Sequence, residues 1–337
     1  MIIRAAAYPR AALMGNPSDG YFGRTISFCF TNFRAQITLY ETPELEILPS
    51  ARDGAKFAGI AQLAGEVGLY GYYGGIRLLK AAVKRFWDYC QEHDLQIDAR
   101  NFTLRYASDI PDQVGLAGSS AIITACFRAL MSFYGVTIPA PVLANLVLSV
   151  ETQELGISAG LQDRVVQAYE GLVYMDFDRA LMERQGFGLY EPLDPALLPP
   201  LYIAYMTELS EESGVFHNDL RSRFNRGEPA VVEAMQIWAG YAREARECLL
   251  RHDRQGLDRL IDANFDLRRR LCRLSPGNLR LADTARAVGA TSKFTGSGGA
   301  IVGTYDGEEM YRKLSEAMAG LRARVFKPVV ALPGRGA

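Results

Sequence analysis

The chain has 337 residues, of which 49% are hydrophobic and 22% charged, so it is long enough to bury a core without disulfide staples. Its 37 basic and 38 acidic residues leave a net charge of −1, which gives no field to attract a nucleic acid or an anionic membrane. No stretch approaches the roughly 18 apolar residues of a membrane span. The five cysteines form no C-x-x-C pair and are typical of reduced core thiols. We therefore expect a cytoplasmic protein with a small-molecule ligand, and the oligomeric state stays open.

The pattern of apolar residues predicts an α+β chain. β-Branched and aromatic residues predict strands over 25–31, 34–40, 45–48, 102–106, 201–206, 300–305 and 324–330. Apolar spacings of three and four predict helices over 76–90, from 119, from 139, and near 229–250, 254–273, 280–288 and 308–321. Glycines and prolines over 186–200 predict a linker. This linker divides the chain into two predicted domains, 1–190 and 200–337.

The strongest local signal is the run Pro-Asp-Gln-Val-Gly-Leu-Ala-Gly-Ser-Ser-Ala at residues 111–121. Glycines that lead into an apolar helix let backbone N–H groups converge on a phosphate, and the helix N-terminus adds unpaired donors. The alternative is an ordinary turn with a serine N-cap. The phosphate-binding candidates are Gly115, Leu116, Ala117, Gly118, Ser119 and Ser120.

A second glycine run, Lys-Phe-Thr-Gly-Ser-Gly-Gly-Ala at residues 293–300, precedes an apolar strand. Gly296, Ser297 and Gly298 could form another anion nest, or the run could be a flexible hairpin. The chain has no Walker loop, and no G-x-G-x-x-G lies between a strand and a helix here.

Two carboxylates are candidates for catalytic work. Asp163 follows a glycine turn at a predicted helix start, where it could orient or deprotonate a hydroxyl or simply favour the helix dipole. Glu151 ends a helix whose face is otherwise apolar, and it could hold Mg²⁺ or be a solvated helix end.

The stretch 7–23 is rich in turn-forming residues and carries Arg10, Asn16 and Asp19. This set suits recognition of a polyol, although a surface loop is the simpler interpretation. None of these signals decides the function alone. Their order along the chain does: a polar loop, a phosphate loop, an acid-containing turn and a C-terminal glycine loop.

That order resembles the galactokinase, homoserine kinase, mevalonate kinase and phosphomevalonate kinase (GHMP) superfamily. Residues 7–16, 111–121 and 293–300 are similar to its three motifs. The chain departs from them at Tyr8-Pro9, where Pro-Gly is usual, at Asn16, where Glu is usual, at the extra residue Ala117 and at Ala300. Segments 15–23, 118–122, 160–165, 264–270 and 292–300 are similar to the glucuronokinase family.

The resemblance implies a two-domain α+β kinase with ATP and sugar in the cleft between the domains. It implies that Gly115–Ser120 cradle the ATP phosphates and that Ser120 and Glu151 hold Mg²⁺. Asp163 then faces the anomeric hydroxyl of D-glucuronate, with Arg10 beside it.

The same resemblance suggests Asn16 and Asp19 for the sugar hydroxyls. Arg268 is suggested for the uronate carboxylate, with Arg24, Arg34 and Arg164 as other candidates. Two alternatives remain. One is another kinase of the superfamily that acts on a neutral sugar, a heptose phosphate or an isoprenoid alcohol. The other is a non-catalytic sensor of sugar or nucleotide.

Overall fold

The computed structural model describes residues 1–50, 53, 74–207 and 216–333. Twelve strands lie in these ranges: β1 Ile2–Ala7, β2 Arg10–Met14, β3 Arg24–Cys29, β4 Ala35–Thr42, β5 Glu46–Leu48, β6 Asn101–Ser108, β7 Leu172–Asp176, β8 Leu189–Leu193, β9 Leu201–Met206, β10 Lys293–Phe294, β11 Ala300–Thr304 and β12 Ala323–Phe326.

Ten α-helices lie in the same ranges: α1 Gly75–Glu92, α2 Gly118–Tyr134, α3 Ala140–Ser149, α4 Leu161–Tyr169, α5 Arg179–Gln185, α6 Phe216–Asn225, α7 Pro229–Leu250, α8 Arg254–Leu271, α9 Pro276–Ala287 and α10 Gly307–Ala319. The α+β prediction is confirmed, and the predicted helices match the observed ones to within a few residues at their ends.

The described strands form three four-stranded sheets, in the orders β1-β4-β6-β5, β2-β3-β7-β8 and β10-β11-β9-β12. All the pairings are antiparallel except that of β5 with β6. β4 shows the alternation of a half-buried strand, because Ala35, Ile37 and Leu39 are buried and the residues between them are partly exposed. α2 packs against β1 and β4 and buries most of its residues.

The N-terminal stretch differs from its prediction as a loop. Residues Arg10–Met14 form a fully buried strand, since the apolar run from Ala11 to Met14 pairs with β3 in the centre of the protein. The turn-forming residues that follow make a short 3₁₀ turn, Ser18–Tyr21. This strand places Arg10 inside the protein rather than on a surface loop.

Residues 186–200, predicted as a linker, have regular structure. They contain β8, which pairs with β7 in full register, and a 3₁₀ turn at Pro195–Leu197. Pro192 is tolerated because β8 is an edge strand, where a missing N–H breaks no ladder.

The largest hydrophobic cluster contains residues from both predicted domains, including Ile37 and Phe127 from the first and Ile203 and Ile261 from the second. The division into domains 1–190 and 200–337 stays a prediction. Within the described ranges, no helix is both long and apolar enough to cross a bilayer.

Candidate active site

The two glycine loops meet backbone to backbone. A Cβ on Gly115, whose φ is +72°, would lie 2.6 Å from the carbonyl oxygen of Gly298. A Cβ on Gly296 would lie equally close, at 2.6 Å, to the carbonyl oxygen of Gly115. Contacts below 3.0 Å leave no room for a side chain, so this approach requires glycine. Two runs that are 180 residues apart in sequence thus form one surface.

Arg10 ties these loops together from β2. Its Nη1 donates to the carbonyl oxygens of Gly115, at 2.6 Å, and Thr295, at 2.9 Å. The backbone N–H of Ala12 also donates to the Thr295 carbonyl, at 2.9 Å. Because Arg10 is only 5% exposed, these bonds are shielded from water and hold both loops in register.

The same guanidinium pairs with Asp163 in the first turn of α4. Arg10 Nε lies 2.5 Å from Asp163 Oδ1, and Nη2 lies 2.8 Å from Oδ2. Burial alone would raise the pKa of Asp163, but the charges of Arg10 and Arg164 outweigh it and lower the pKa to about 2. Asp163 is therefore ionised at neutral pH. It is a weak base and a well-oriented hydrogen-bond acceptor.

A second buried ion pair joins Arg164 to Glu151. Arg164 Nε donates to Glu151 Oε2 at 2.9 Å, and Nη2 contacts the same oxygen. Its Nη1 donates to Asp163 Oδ2 at 3.2 Å and to the Gly160 carbonyl at 2.8 Å. Glu151 is 1% exposed, so the structure excludes the solvated helix end. Arg164 therefore bridges the two carboxylates.

The hydroxyl that faces Glu151 belongs to Ser119. Its Oγ donates to Glu151 Oε1 at 2.8 Å. The predicted partner, Ser120, is completely buried and donates instead to the Ala117 carbonyl at 3.2 Å. Adjacent side chains of an α-helix point about 100° apart, and only the first serine faces the carboxylate. The structure therefore places the hydroxyl of Ser119, and not that of Ser120, against Glu151, while the prediction that Ser120 holds a metal ion stays a prediction.

The pair Ser119 and Glu151 fits Mg²⁺, which prefers hard oxygen ligands and takes one or two carboxylates together with substrate phosphates. Arg164 occupies Oε2, so Oε1 is the carboxylate oxygen on the side of the glycine loop. No cluster of three or more His, Cys, Asp or Glu occurs in the described ranges, and a site completed by phosphates needs none.

Asp19 and Asn16 lie at the same site on the turn that follows β2. Asp19 Oδ2 accepts a hydrogen bond from the Gln162 N–H at 3.4 Å, next to Asp163. Burial, and then the neighbouring charge of Asp163, raise the pKa of Asp19 to about 6. Asn16 Nδ2 donates to the Gly296 carbonyl at 3.3 Å. Its buried Oδ1 has no hydrogen-bond partner among the described residues, so it can accept from a ligand.

Arg268 lies beneath the C-terminal glycine loop. Its Nη1 donates to the Gly296 carbonyl at 2.9 Å and its Nη2 to the Ser297 carbonyl at 3.2 Å. The guanidinium also stacks 5.2 Å from the ring centroid of Phe294 and is 2% exposed. Its visible role is to shape the loop, and its binding of a substrate carboxylate stays a prediction.

Several supporting residues were not singled out from the sequence. Lys293 Nζ donates to the carbonyls of Ala12, at 2.5 Å, and Phe294, at 2.8 Å, and burial together with the charges of Arg268 and Arg10 lowers its pKa well below 10.5. Asn278 Oδ1 accepts from the Gly299 N–H at 2.8 Å. Lys293 opens the second glycine run, whereas nothing in the sequence distinguishes Asn278.

Gln167 holds the first loop from the side of α4. Its Nε2 donates to the Ala117 carbonyl at 2.9 Å and to the Tyr8 carbonyl at 3.1 Å. Ala117 itself has φ +62°, which is unusual for a residue with a side chain. The bonds to its carbonyl from Gln167 and Ser120 help to hold this left-handed conformation at the entrance to α2.

A family profile described as the GHMP kinases N-terminal domain matches residues 77–171. Glucuronokinase 1 of Arabidopsis thaliana is 45% identical over 307 residues, which cover 89% of this chain and 84% of that protein. Probable glucuronokinase 2 of the same plant is 42% identical and covers 98% of this chain and 91% of its own length. Both relatives therefore extend over almost the entire chain, including both glycine loops.

The mevalonate kinase of Methanococcus jannaschii has a similar solved structure, with a TM-score of 0.72 and coverage of 98% of both chains. Its sequence identity is only 21%, so this likeness concerns the fold. The strands and helices that position Arg10, Asp163 and the two glycine loops thus follow a known arrangement.

Proposed function

Since this chain belongs to the GHMP kinase family, we propose that it transfers the γ-phosphoryl group of ATP to the anomeric hydroxyl of D-glucuronate and forms glucuronate 1-phosphate. The observation that carries this proposal is identity of 45% and 42% to two glucuronokinases over most of both chains. The geometry of the site supports the same chemistry. A cytoplasmic location stays a prediction.

The backbone of Gly115–Ser120 and the loop Gly296–Gly298 would hold the ATP phosphates. These runs meet without intervening side chains, and α2 directs its N-terminal N–H groups toward the first of them. Such a surface neutralises phosphate charge with N–H donors and the positive end of a helix. A loose transition state for phosphoryl transfer needs this kind of positioning and charge neutralisation.

Ser119 and Glu151 would hold Mg²⁺ next to these phosphates. When bound, the ion neutralises charge on the β- and γ-phosphate oxygens. Glu151 is fixed for this role because Arg164 clamps one of its oxygens. Arg164 also offsets the negative charge of the two carboxylates, since it pairs with both Glu151 and Asp163.

Asp163 would accept a hydrogen bond from the attacking hydroxyl and align its oxygen with the γ-phosphorus. The new O–P bond forms as the bond from the γ-phosphorus to the β–γ bridging oxygen breaks and ADP leaves. A carboxylate with a pKa of about 2 takes up the hydroxyl proton only when transfer is far advanced, then releases it to solvent. Arg10 would stabilise the transferred phosphoryl group in addition to orienting Asp163.

The test is a substrate panel with purified protein, ATP and Mg²⁺, in which ADP release is coupled to a spectroscopic signal. We expect turnover with D-glucuronate and a product whose ³¹P spectrum shows a phosphate on the anomeric carbon. Equal turnover of galactose and glucuronate would contradict the uronate assignment. Binding of ATP without ADP release for any sugar, heptose phosphate or isoprenoid alcohol would favour the sensor instead.

A further inference from the structure

The turn that carries Asp19 also contacts α6, a helix from the second half of the chain. Residues Ser18–Tyr21 form the 3₁₀ turn, and Asp19 reaches the backbone of α4 beside Asp163. Tyr21, at the end of the same turn, packs its ring 4.6 Å from that of Phe224 in α6. The sugar-facing turn is therefore fixed on both sides, by α4 and by α6.

Arg221 of α6 lies directly over this turn. Its Nη1 donates to the Gly20 carbonyl at 2.9 Å, and its guanidinium lies 4.6 Å from the ring centroid of Tyr21. A Cβ on Gly20 would lie 2.9 Å from Arg221 Nη2, so the glycine allows this close approach. One carbonyl and one ring thus orient the guanidinium while its side chain stays exposed.

Tyr21 interacts electrostatically with both Arg221 and Asp19. Burial raises the pKa of Tyr21, while the charge of Arg221 lowers it and the charge of Asp19 raises it. The ring of Tyr21 is therefore within electrostatic range of both groups.

Three of the four arginines suggested for a carboxylate have partners that occupy them. The fourth, Arg34, is exposed just before β4 and makes none of the contacts described at the site. Arg24 pairs with Asp176, and Arg164 pairs with Glu151 and Asp163. Arg268 binds the carbonyls of the second glycine loop. By contrast, no acidic side chain in the described part of the chain forms an ion pair with Arg221, whose contacts are a carbonyl and a ring.

We propose that Arg221 is the residue that selects a uronate, by binding the C6 carboxylate of a sugar whose anomeric hydroxyl faces Asp163. This inference rests on the proposed function. In a pyranose, C1 and the carbon that bears the carboxylate flank the ring oxygen, so the two groups that need recognition lie at one edge of the ring. An arginine fork offers two parallel N–H donors to such a carboxylate.

The experiment compares Arg221→Gln, Arg221→Lys and a matched control, Arg226→Gln, which removes the same charge from an exposed position just beyond α6. Steady-state kinetics are measured with D-glucuronate and with D-glucose, which differs from it only by a hydroxymethyl group at C6. Titration calorimetry of glucuronate into each full-length protein without ATP gives a readout that is independent of turnover.

We expect Arg221→Gln to lower kcat/KM for glucuronate by about 10- to 100-fold, mainly through KM, because hydrogen bonds between charged groups have that worth. Turnover of glucose should change by less than about threefold. Arg221→Lys should lie between the wild type and Arg221→Gln, since a lysine keeps the charge and loses the fork. Arg226→Gln should behave as the wild type.

Three outcomes would overturn the inference. If Arg221→Gln and Arg226→Gln have the same kinetics with glucuronate, Arg221 does not bind the carboxylate, although the proposed function stands. If Arg221→Gln loses activity equally on glucose and glucuronate, its role is only to support the turn. If the wild type itself fails to phosphorylate glucuronate, the proposed function falls and the inference falls with it.

Discussion

Arg10 and Asp163 are 153 positions apart in sequence and form a two-point ion pair, with nitrogen–oxygen distances of 2.5 and 2.8 Å. The remaining terminal nitrogen of Arg10 binds the carbonyls of Gly115 and Thr295. One side chain therefore connects the first turn of α4 with both glycine loops. The orientation of the Asp163 carboxylate and the spacing of the two glycine loops depend on the same guanidinium.

Replacement of Arg10 by Met should damage both stability and catalysis. It leaves Asp163 charged without its main partner and frees two loop carbonyls from their donor. Removal of one member of a buried pair costs about 3–5 kcal/mol. We expect a loss of that size in the free energy of unfolding, measured by urea denaturation, and an increase in KM for ATP.

A matched control is Arg246→Met. Arg246 also forms a two-point pair, with Glu191 at 2.7 and 2.8 Å, but both side chains are partly exposed. Such pairs contribute only about 0–1 kcal/mol. Equal losses of stability in the two variants would contradict the central position of Arg10.

Asp163→Asn should lower kcat without comparable loss of ATP binding. The amide keeps the shape of the side chain but can neither take up a proton nor carry charge, and loss of such a group typically costs about 10²–10⁴-fold in rate. Single-turnover kinetics give the rate of transfer, and a thermal-shift titration gives the affinity for ATP. Glu191→Gln is the control, and full activity in Asp163→Asn would remove the carboxylate from the mechanism.

Those features that depend on local sequence could be predicted. Gly115 and Gly296 could be recognised from the sequence because a position with no room for a Cβ must be glycine. The start of α4 at Leu161, which puts Asp163 in the first turn, follows from the glycine turn before it. The ends of α7 at Pro229 and Leu250 also agree with the prediction.

Contacts that form only in the folded protein could not be predicted from the sequence. Which of Ser119 and Ser120 faces Glu151 depends on the direction in which α2 leaves its loop, and adjacent serines look alike in sequence. β8 lies in a stretch rich in proline and glycine, and only its pairing with β7 makes it a strand. The position of Arg221 depends on how α6 packs on the Tyr21 turn.

Gly296→Ala should weaken ATP binding. The new methyl group would lie 2.6 Å from the Gly115 carbonyl and 2.9 Å from Arg10 Nη2, so the two loops must move apart. Overpacking of this kind costs about 1–3 kcal/mol, which corresponds to roughly 10- to 100-fold in KM for ATP. Gly240→Ala is the control, because a Cβ there meets nothing within 4 Å. An unchanged KM in Gly296→Ala would show that the loops need no such contact.

Alanine variants of the two serines in the first loop should distinguish a role in metal binding from a role in packing. Ser119→Ala removes the hydroxyl that faces Glu151, and we expect it to raise the Mg²⁺ concentration needed for half-maximal activity. Ser120→Ala removes a buried bond to the Ala117 carbonyl and should lower stability by about 1 kcal/mol with little change in Mg²⁺ dependence. Mn²⁺ binding, followed by electron paramagnetic resonance, checks the difference without turnover. The reverse pattern would restore Ser120 as the ligand.

The dependence of activity on pH should reflect the titration of Asp19 rather than that of Asp163. Asp163, with a pKa of about 2, stays ionised throughout the working range, whereas Asp19, with a pKa of about 6, gains a proton as the pH falls through that value. If ionised Asp19 binds the sugar hydroxyls, kcat/KM for the sugar declines below about pH 6. Asp19→Asn should have lower activity and lose this acidic limb, while Asp163→Asn should keep the limb but move it to lower pH, because the charge of Asp163 helps to raise the pKa of Asp19.

The titration of Asp19 should also change the free energy of unfolding, in a direction that its pKa shift fixes. The folded-state pKa of Asp19 lies above its usual 3.8, so the folded protein binds this proton more tightly than the unfolded chain. The stabilisation is complete below about pH 4 and is lost as the pH rises through about 6. Asp19→Asn should therefore be more stable than the wild type at pH 7.5, and the advantage should shrink toward pH 5. Denaturation midpoints at the two pH values measure it, and a constant difference would mean that Asp19 does not titrate near pH 6.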